Sequence, residues 1–230
     1  MILSTMTYTE IANELDKDAK SLYGYIEYVL SDNKYRRIGM KHSEPVCFKP
    51  VFWESKRKNK YFIIPNTNGK KDLKKYGLAF YVWCYYTDGK NKKNGVMILS
   101  NGTYSFFRGH LFDRYGERFF DDTSMTTVDL MVEFASNNSF IVSRPFSTAL
   151  KYKNSYFATV KDGAILGTYT NGYFVYNTFI TKEMMKGSEI DYNEDGQNEL
   201  NECIELRKSK EYVEFKMIEK MHMETMRMAS

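Results

Sequence analysis

Residues 77–107, GLAFYVWCYYTDGKNKKNGVMILSNGTYSFF, decide the fold class of this chain. Three apolar runs rich in aromatic and β-branched residues are separated by two turn-forming segments, TDGKNKK (87–93) and the Asn101–Gly102 pair. Such residues favour strands, and Asn-Gly between two such runs is the strongest short signal for a β-hairpin. Two further runs of the same kind, VCFKPVFW and YFIIP, precede this stretch. The sequence therefore predicts an antiparallel meander of four or five strands over residues 46–108.

A second β region occupies residues 139–180, where the apolar runs SFIVS, ALKY, SYFATV, AILGTYT and YFVYNTFI follow one another. Their connections again contain turn-forming pairs, Asp-Gly at 162–163 and Asn-Gly at 171–172. These pairs are typical of tight hairpin turns. Because no flexible linker separates this region from the first, we expect both regions to share one core.

Helical patterns flank and connect the two β regions. Thr7 or Thr9 precedes apolar residues spaced three to four apart, and Gly24 is expected to break or kink this segment. Ser124 is expected to cap a later helix. The predicted organisation is one α+β domain over 1–230, with an N-terminal helical segment (1–32), a β-rich core (46–180) carrying short rim helices near 110–120 and 124–136, and a long C-terminal helix (196–226).

The composition is that of a folded, water-soluble protein. Hydrophobic residues make up 43% and charged residues 27% of the chain, which excludes wholesale disorder. No run approaches the roughly 18 apolar residues that a membrane helix needs, and MILSTMTYTE has no charged segment followed by an apolar core, so we expect no secretory signal. The three cysteines are widely spaced, which favours reduced thiols and a cytoplasmic location.

The positive charge is concentrated in short segments. The net charge is +4 and the pI is about 8.7, which favours an anionic partner without requiring one. Lysine and arginine cluster in KRKN (56–59), KKDLKK (70–75) and KNKK (90–93). Turns of a meander alternate between the two ends of the sheet, so the first and third of these clusters share an end. The last strand also exits there, and it leads directly into His110.

The stretch RGHLFDRYGERFF (108–120) is the most chemically mixed part of the chain. If it is helical, His110, Arg114 and Arg118 fall on one face at steps of four residues. Its position after the meander places this face beside two basic turns. The candidate catalytic residues are His110, Arg114, Tyr115, Glu117 and Arg118, and the candidate nucleic-acid-binding residues are Lys56, Arg57, Lys58, Lys90, Lys92 and Lys93.

Three interpretations of this stretch remain open. It can form a metal-independent RNA-cleaving face, since such chemistry needs a group that titrates near neutrality and cations that hold an anionic transition state. It can bind nucleic-acid phosphates without chemistry, with tyrosines stacking on bases. It can also be an ordinary exposed helix on which Asp113, Glu117 and the arginines pair, and such ion pairs are common.

The acidic stretch DYNEDGQNELNE (191–202) matches the spacing of a calcium-binding loop. The candidate ligands are Asp191, Asn193, Asp195 and Glu202, with Gly196 at the sharp turn. Asn198 stands where paired loops of this kind carry an apolar residue, and the segment before the loop is broken by Gly187. We therefore favour a turn that caps the C-terminal helix and expect no cofactor, with Ca²⁺ as the alternative.

Three stretches, GHLFDRYGERF (109–119), DGAILGTY (162–169) and NTFITKEMM (177–185), resemble uncharacterised proteins of gut Bacteroidales and of their phages and mobile elements. This resemblance implies a bacterial or phage-infected host cell and carries no activity. We expect a small basic protein directed at nucleic acid, either as a binder or as a nuclease. The alternatives are a non-enzymatic phage or mobile-element component that binds a protein through the Met-rich tail (217–230), and a single-site calcium-binding protein.

Overall fold

The structure, a computed structural model, describes residues 1–99, 101–120, 124–146 and 154–208. The helices are α1 (Tyr8–Asp16), α2 (Ala19–Leu30), α3 (Asn33–Gly39), α4 (Lys70–Tyr76), α5 (Gly109–Tyr115), continued by a π-helical turn (Gly116–Phe120), α6 (Thr127–Asn137) and α7 (Ser188–Lys208), with a 3₁₀ turn at Lys182–Met184. The strands are β1 (Val46–Cys47), β2 (Val51–Glu54), β3 (Lys60–Thr67), β4 (Ala79–Thr87), β5 (Lys93–Ile98), β6 (Tyr104–Phe107), β7 (Val142–Pro145), β8 (Ser155–Val160), β9 (Gly163–Thr170) and β10 (Tyr173–Ile180). This arrangement confirms the predicted α+β class.

The ten described strands form one mixed sheet in the order β1-β3-β4-β5-β6-β10-β9-β8-β7, with β2 also paired to β3. The predicted meander is present as β2 to β6, and every neighbouring pair in it is antiparallel. The second β region forms β7 to β10. The two regions join through the single parallel pair, in which β10 lies against β6.

Helices cover both faces of this sheet. On one face α5 and α6 bury a core around Trp83, Phe107, Phe112 and Phe134. On the other face α1 and α2 pack over the meander through their apolar stripes. Helix α7 lies over β8, where Phe157, Ala164, Ile180 and Met185 form a smaller core. The strands of both β regions contribute buried residues to the first core.

The N-terminal segment breaks at a different place from the one predicted. Thr7 caps α1 in a capping box with Glu10, but α2 continues through Gly24 because Leu22 and Ile26 are buried on either side of it. The break lies at residues 17–18. The buried Asp18 side chain there accepts hydrogen bonds from Asn59 Nδ2 and Tyr61 Oη, both at 2.8 Å.

Other element boundaries also differ from the prediction. Thr126 caps α6 instead of Ser124, because Asp129 stands at the third helical position and completes a capping box. Helix α7 begins at Ser188 and not at residue 196. The predicted strand ALKY (149–152) and the Met-rich tail both lie wholly outside the described residues. In the described part of the chain, no helix has the length and apolar character needed to cross a membrane.

Candidate functional site

The predicted site lies at one end of the sheet, here called the rim: the turns at 55–59 and 88–92 and the start of α5. The strand pairing places these three features together, since Lys60 lies opposite Tyr85 and Gly95 lies opposite Phe107. Helix α5 begins directly on the second turn. The Gly109 amide donates to Asn94 Oδ1 at 2.7 Å, and a Cβ on Gly109 would lie 2.7 Å from the Lys93 carbonyl oxygen. Glycine is therefore required where the helix meets the turn.

The arginines of α5 are engaged within the protein. Arg114 Nη1 pairs with Glu117 Oε2 at 2.6 Å, one turn along the helix. Arg118 donates to the carbonyl oxygen of Phe179 in β10, and burial, followed by the charge of Arg114, lowers the pKa of Arg118. The predicted pairing of the helix charges is therefore present for Arg114, while Arg118 is directed at the backbone of the sheet.

Tyr115 lies in the core and does not reach the solvent at the rim. Its side chain is fully buried, and its hydroxyl donates to Asp162 Oδ2 at 2.6 Å. Burial, reinforced by the hydrogen bond to Asp162, raises the pKa of Tyr115 well above its ordinary value. Asn138 Nδ2 donates to the same carboxylate oxygen at 2.9 Å. These bonds tie α5 and α6 to the β8–β9 turn, which is a structural role.

His110 is exposed at the start of α5 and forms no hydrogen bond or ion pair with any described residue. Its neighbour Asp113, predicted to pair with the arginines, instead binds Lys92 Nζ from the β4–β5 turn at 2.8 Å. Within the part of the chain that the structure describes, no acid or base is hydrogen-bonded to His110. The rim therefore holds one exposed imidazole beside a salt bridge.

The β2–β3 turn is also neutralised from within. Arg57 binds Glu14 of α1 through both carboxylate oxygens, at 2.8 and 2.7 Å, and Glu14 is only 3% exposed. Lys58 pairs with Glu54 at 3.0 Å. Three of the six predicted nucleic-acid-binding residues, Arg57, Lys58 and Lys92, are thus ion-paired. The other three, Lys56, Lys90 and Lys93, are exposed and pair with no carboxylate among the described residues.

The calcium-loop pattern does not form a loop. Residues 191–202 lie inside α7, so Asp191 and Glu202 are about 16 Å apart along the helix axis. Asn193 is buried toward the sheet, and Asp195 pairs with Arg144 at 3.3 Å. No group of three or more potential metal ligands is found among the described residues. Both the loop and the turn predicted for this stretch are wrong.

Gly196 has a packing role in place of the predicted turn. A Cβ at this position would lie 2.5 Å from the Cβ of Thr159 in β8 and closer still to the Thr159 hydroxyl. The missing side chain therefore lets α7 approach the strand closely. Gln197 Nε2 then donates to the Val160 carbonyl oxygen at 2.8 Å, which fixes the helix on β8.

Two short helices that sequence analysis missed form a separate basic surface. Helix α3 buries Tyr35 and Gly39, and α4 buries Leu73. A Cβ on Gly39 would lie 2.7 Å from Leu73 Cδ2, so the two helices touch through a glycine and a leucine. The Lys70 amide donates to the His42 carbonyl oxygen at 2.8 Å and joins their ends. Because these residues occupy the buried sides of α3 and α4, the lysines and arginines of both helices lie on the exposed sides.

We call this the α3–α4 basic surface; its exposed cations are Arg36, Arg37, Lys41, Lys70, Lys71, Lys74 and Lys75. None of the seven forms an ion pair with a described residue, in contrast to Lys34, which binds Asp32 at 3.0 Å. Residues 33–42 hold four cations and no acid, and residues 70–76 hold four cations and one acid, a net +7. Because the whole chain carries +4, the rest of it is −3.

A shallow depression lies on the α3 side of this surface. It is lined by Asn33, Arg36, Arg37, Ile38, Met40 and Lys41. The acid-free run KYRRIGMKH (34–42) is visible in the sequence, but its proximity to KKDLKK becomes evident only in the fold. No family model, curated protein or solved structure matches this chain, so its own geometry carries the functional argument.

Proposed function

We propose that this protein binds nucleic acid and that the α3–α4 basic surface contacts the phosphate backbone. The observation that carries this proposal is the cluster of seven exposed cations on two adjoining helices and the residues just after α3, none of them ion-paired with a described residue. Lysine and arginine side chains that neutralise phosphates release condensed counterions, and this release supplies most of the affinity of non-specific binding. A net +7 on a chain of net +4 concentrates the attraction on one face.

Binding at the α3–α4 basic surface is better supported than cleavage at the rim. Arg114 is held by Glu117, and Arg118 donates to the backbone, so neither is free to hold a transition-state phosphate. General acid–base catalysis relies on a positioned imidazole, and no described residue hydrogen-bonds to His110 to position it. The α3–α4 basic surface, by contrast, has cations available for contact without first breaking an ion pair.

The proposal is tested by fluorescence anisotropy with labelled RNA and DNA oligonucleotides across a range of salt concentrations. The test variant replaces Arg36, Arg37, Lys70 and Lys71 with glutamine, which removes four charges from the surface. Each lost phosphate contact should reduce the slope of log K against log salt by about 0.7–0.9. We therefore expect a slope smaller by about 3 and an affinity at least tenfold lower at low salt.

A matched variant at the rim, Lys56→Gln with Lys90→Gln and Lys93→Gln, removes three unpaired cations from the original candidate site. It should leave the affinity within about twofold of wild type, after allowance for the smaller net charge. If the rim variant loses binding and the α3–α4 variant keeps it, the contact surface is the rim. If the unmodified protein binds neither RNA nor DNA at low salt, the proposed function is wrong.

A further inference from the structure

We infer that the nucleic acid is bound as a single strand, because the α3–α4 basic surface follows a row of three aromatic rings in which two rings are partly buried and the last is exposed for a base to stack on. This inference rests on the proposed function. The rings belong to Tyr28 and Tyr25 of α2 and Trp53 of β2, and we call them the aromatic strip. A single strand exposes the faces of its bases, and these faces can stack on an aromatic ring of the strip. In a duplex the base faces are covered by neighbouring bases.

The strip is anchored at one end and open at the other. Trp53 stacks on Tyr25 with ring centroids 5.3 Å apart and an interplanar angle of 15°, and it also packs 5.3 Å from the buried ring of Tyr61. Tyr25 in turn lies 6.1 Å from Tyr28. Tyr28 is 72% exposed, the largest exposure among the big apolar side chains of the described residues. The Tyr28 ring is therefore exposed to the solvent, next to the stacked rings of Tyr25 and Trp53.

The strip runs into the basic surface along the chain. Tyr28 lies in the last turn of α2, and only Ser31 and Asp32 separate that helix from α3. The junction is fixed by hydrogen bonds, since Ser31 Oγ donates to the Tyr28 carbonyl oxygen at 2.7 Å and Asp32 Oδ1 accepts from the Lys34 amide at 2.8 Å. An extended strand that stacks one base on Tyr28 can therefore place its next phosphates over the cations of α3.

The charge of the neighbouring surface selects the occupant of the strip. The exposed Tyr28 ring alone could bind any apolar partner, but next to α3 and α4, with a net +7, the partner must also be anionic. Single-stranded nucleic acid combines stackable rings and regular negative charge in one polymer. A duplex offers phosphates and base edges but no free base faces, because its bases stay stacked on each other.

The test compares a labelled 12-nucleotide single strand with its duplex by anisotropy, for wild type and for Tyr28→Ala. We expect wild type to prefer the single strand, and Tyr28→Ala to weaken single-strand binding about fivefold or more, as loss of one stacked base should. Duplex binding should not change. Tyr28→Phe, which keeps the ring, should behave as wild type, and so should Tyr169→Ala, which removes a 41% exposed tyrosine from β9 in the other β region.

The failure of this inference can be told apart from the failure of the proposed function. If duplex binds as tightly as the single strand, or if Tyr28→Ala keeps full single-strand affinity, the stacking inference is overturned. The charge variant of α3 and α4 would still lower the salt slope in that case, and the proposed function would stand. If the charge variant and Tyr28→Ala both bind as wild type does, both conclusions are wrong.

Discussion

Glu14→Gln is the substitution that most directly tests whether the charges of the β2–β3 turn stabilise the fold. The Glu14 carboxylate accepts hydrogen bonds from Arg57 at 2.8 and 2.7 Å and from Lys17 at 3.3 Å, and it also pairs with the Met1 amine. Breaking a buried ion pair costs about 3–5 kcal/mol. Because the Arg57 side chain that loses its partner is 41% exposed and partly screened by solvent, we expect a cost between the exposed and the buried case, about 2 kcal/mol.

This loss should lower the melting temperature by roughly 4–8 °C, since 1 kcal/mol corresponds to about 2–4 °C in a domain of this size. Urea unfolding followed by tryptophan fluorescence gives the free energy of unfolding directly. The control is Glu54→Gln, which removes the partner of Lys58 from an exposed pair and should cost less than about 1 kcal/mol. Equal effects of Glu14→Gln and Glu54→Gln would refute the reasoning.

The same substitution should alter the acid limb of the stability curve. The hydrogen bonds from Arg57, which outweigh the opposing effect of burial, hold the pKa of Glu14 far below its ordinary 4.5. The stabilisation is therefore complete above about pH 4.5 and is lost progressively as the pH falls below it. Wild type should lose stability between pH 5 and pH 3 more steeply than Glu14→Gln does. Parallel curves over this interval would contradict the assignment.

Two further substitutions test the packing of the helices. Gly196→Ala should lower the unfolding free energy by about 1–3 kcal/mol, despite alanine's higher helix propensity, because its Cβ would collide with Thr159. Gly24→Ala, where a Cβ meets nothing within 4 Å, should instead raise that free energy by about 0.5–1 kcal/mol. Urea unfolding measures both changes, and changes of the same sign would contradict this account of the packing. Tyr115→Phe should lower the unfolding free energy by about 1–2 kcal/mol through loss of the hydrogen bond to Asp162, and it should leave nucleic-acid affinity unchanged in anisotropy. Weaker binding without lower stability would instead assign Tyr115 to the binding site.

The parts of the fold that sequence analysis predicted correctly are those set by neighbouring residues. The Asn171–Gly172 turn between β9 and β10 has φ angles of 52° and 86°, the two positive values that such a hairpin turn requires. Thr7 and Glu10 form their capping box within a single helical turn. Strand pairing in the meander follows from the same local chemistry, because each hairpin fixes the register of the next strand.

Helices α3 and α4 were missed because nothing in their own sequence marks them as amphipathic. Each has seven residues, and in α4 only Leu73 is buried. A helix that short gains little from propensity and depends on its tertiary contacts. The calcium pattern failed for a related reason: its spacing specifies side chains but not the backbone that carries them. Gly196, which a loop would use for a turn, is used by α7 to approach Thr159.

The same distinction separates the two basic regions of this protein. Clusters of lysine and arginine at 56–59 and 90–93 attract attention in the sequence, yet Arg57 is neutralised by Glu14 and Lys92 by Asp113, which lie 43 and 21 residues away. No count of local charge includes those partners. On α3 and α4 the residues that face inward are small or apolar, and none of the seven exposed cations forms an ion pair with a described carboxylate. Positive charge therefore remains available to a ligand where the fold supplies no carboxylate to neutralise it.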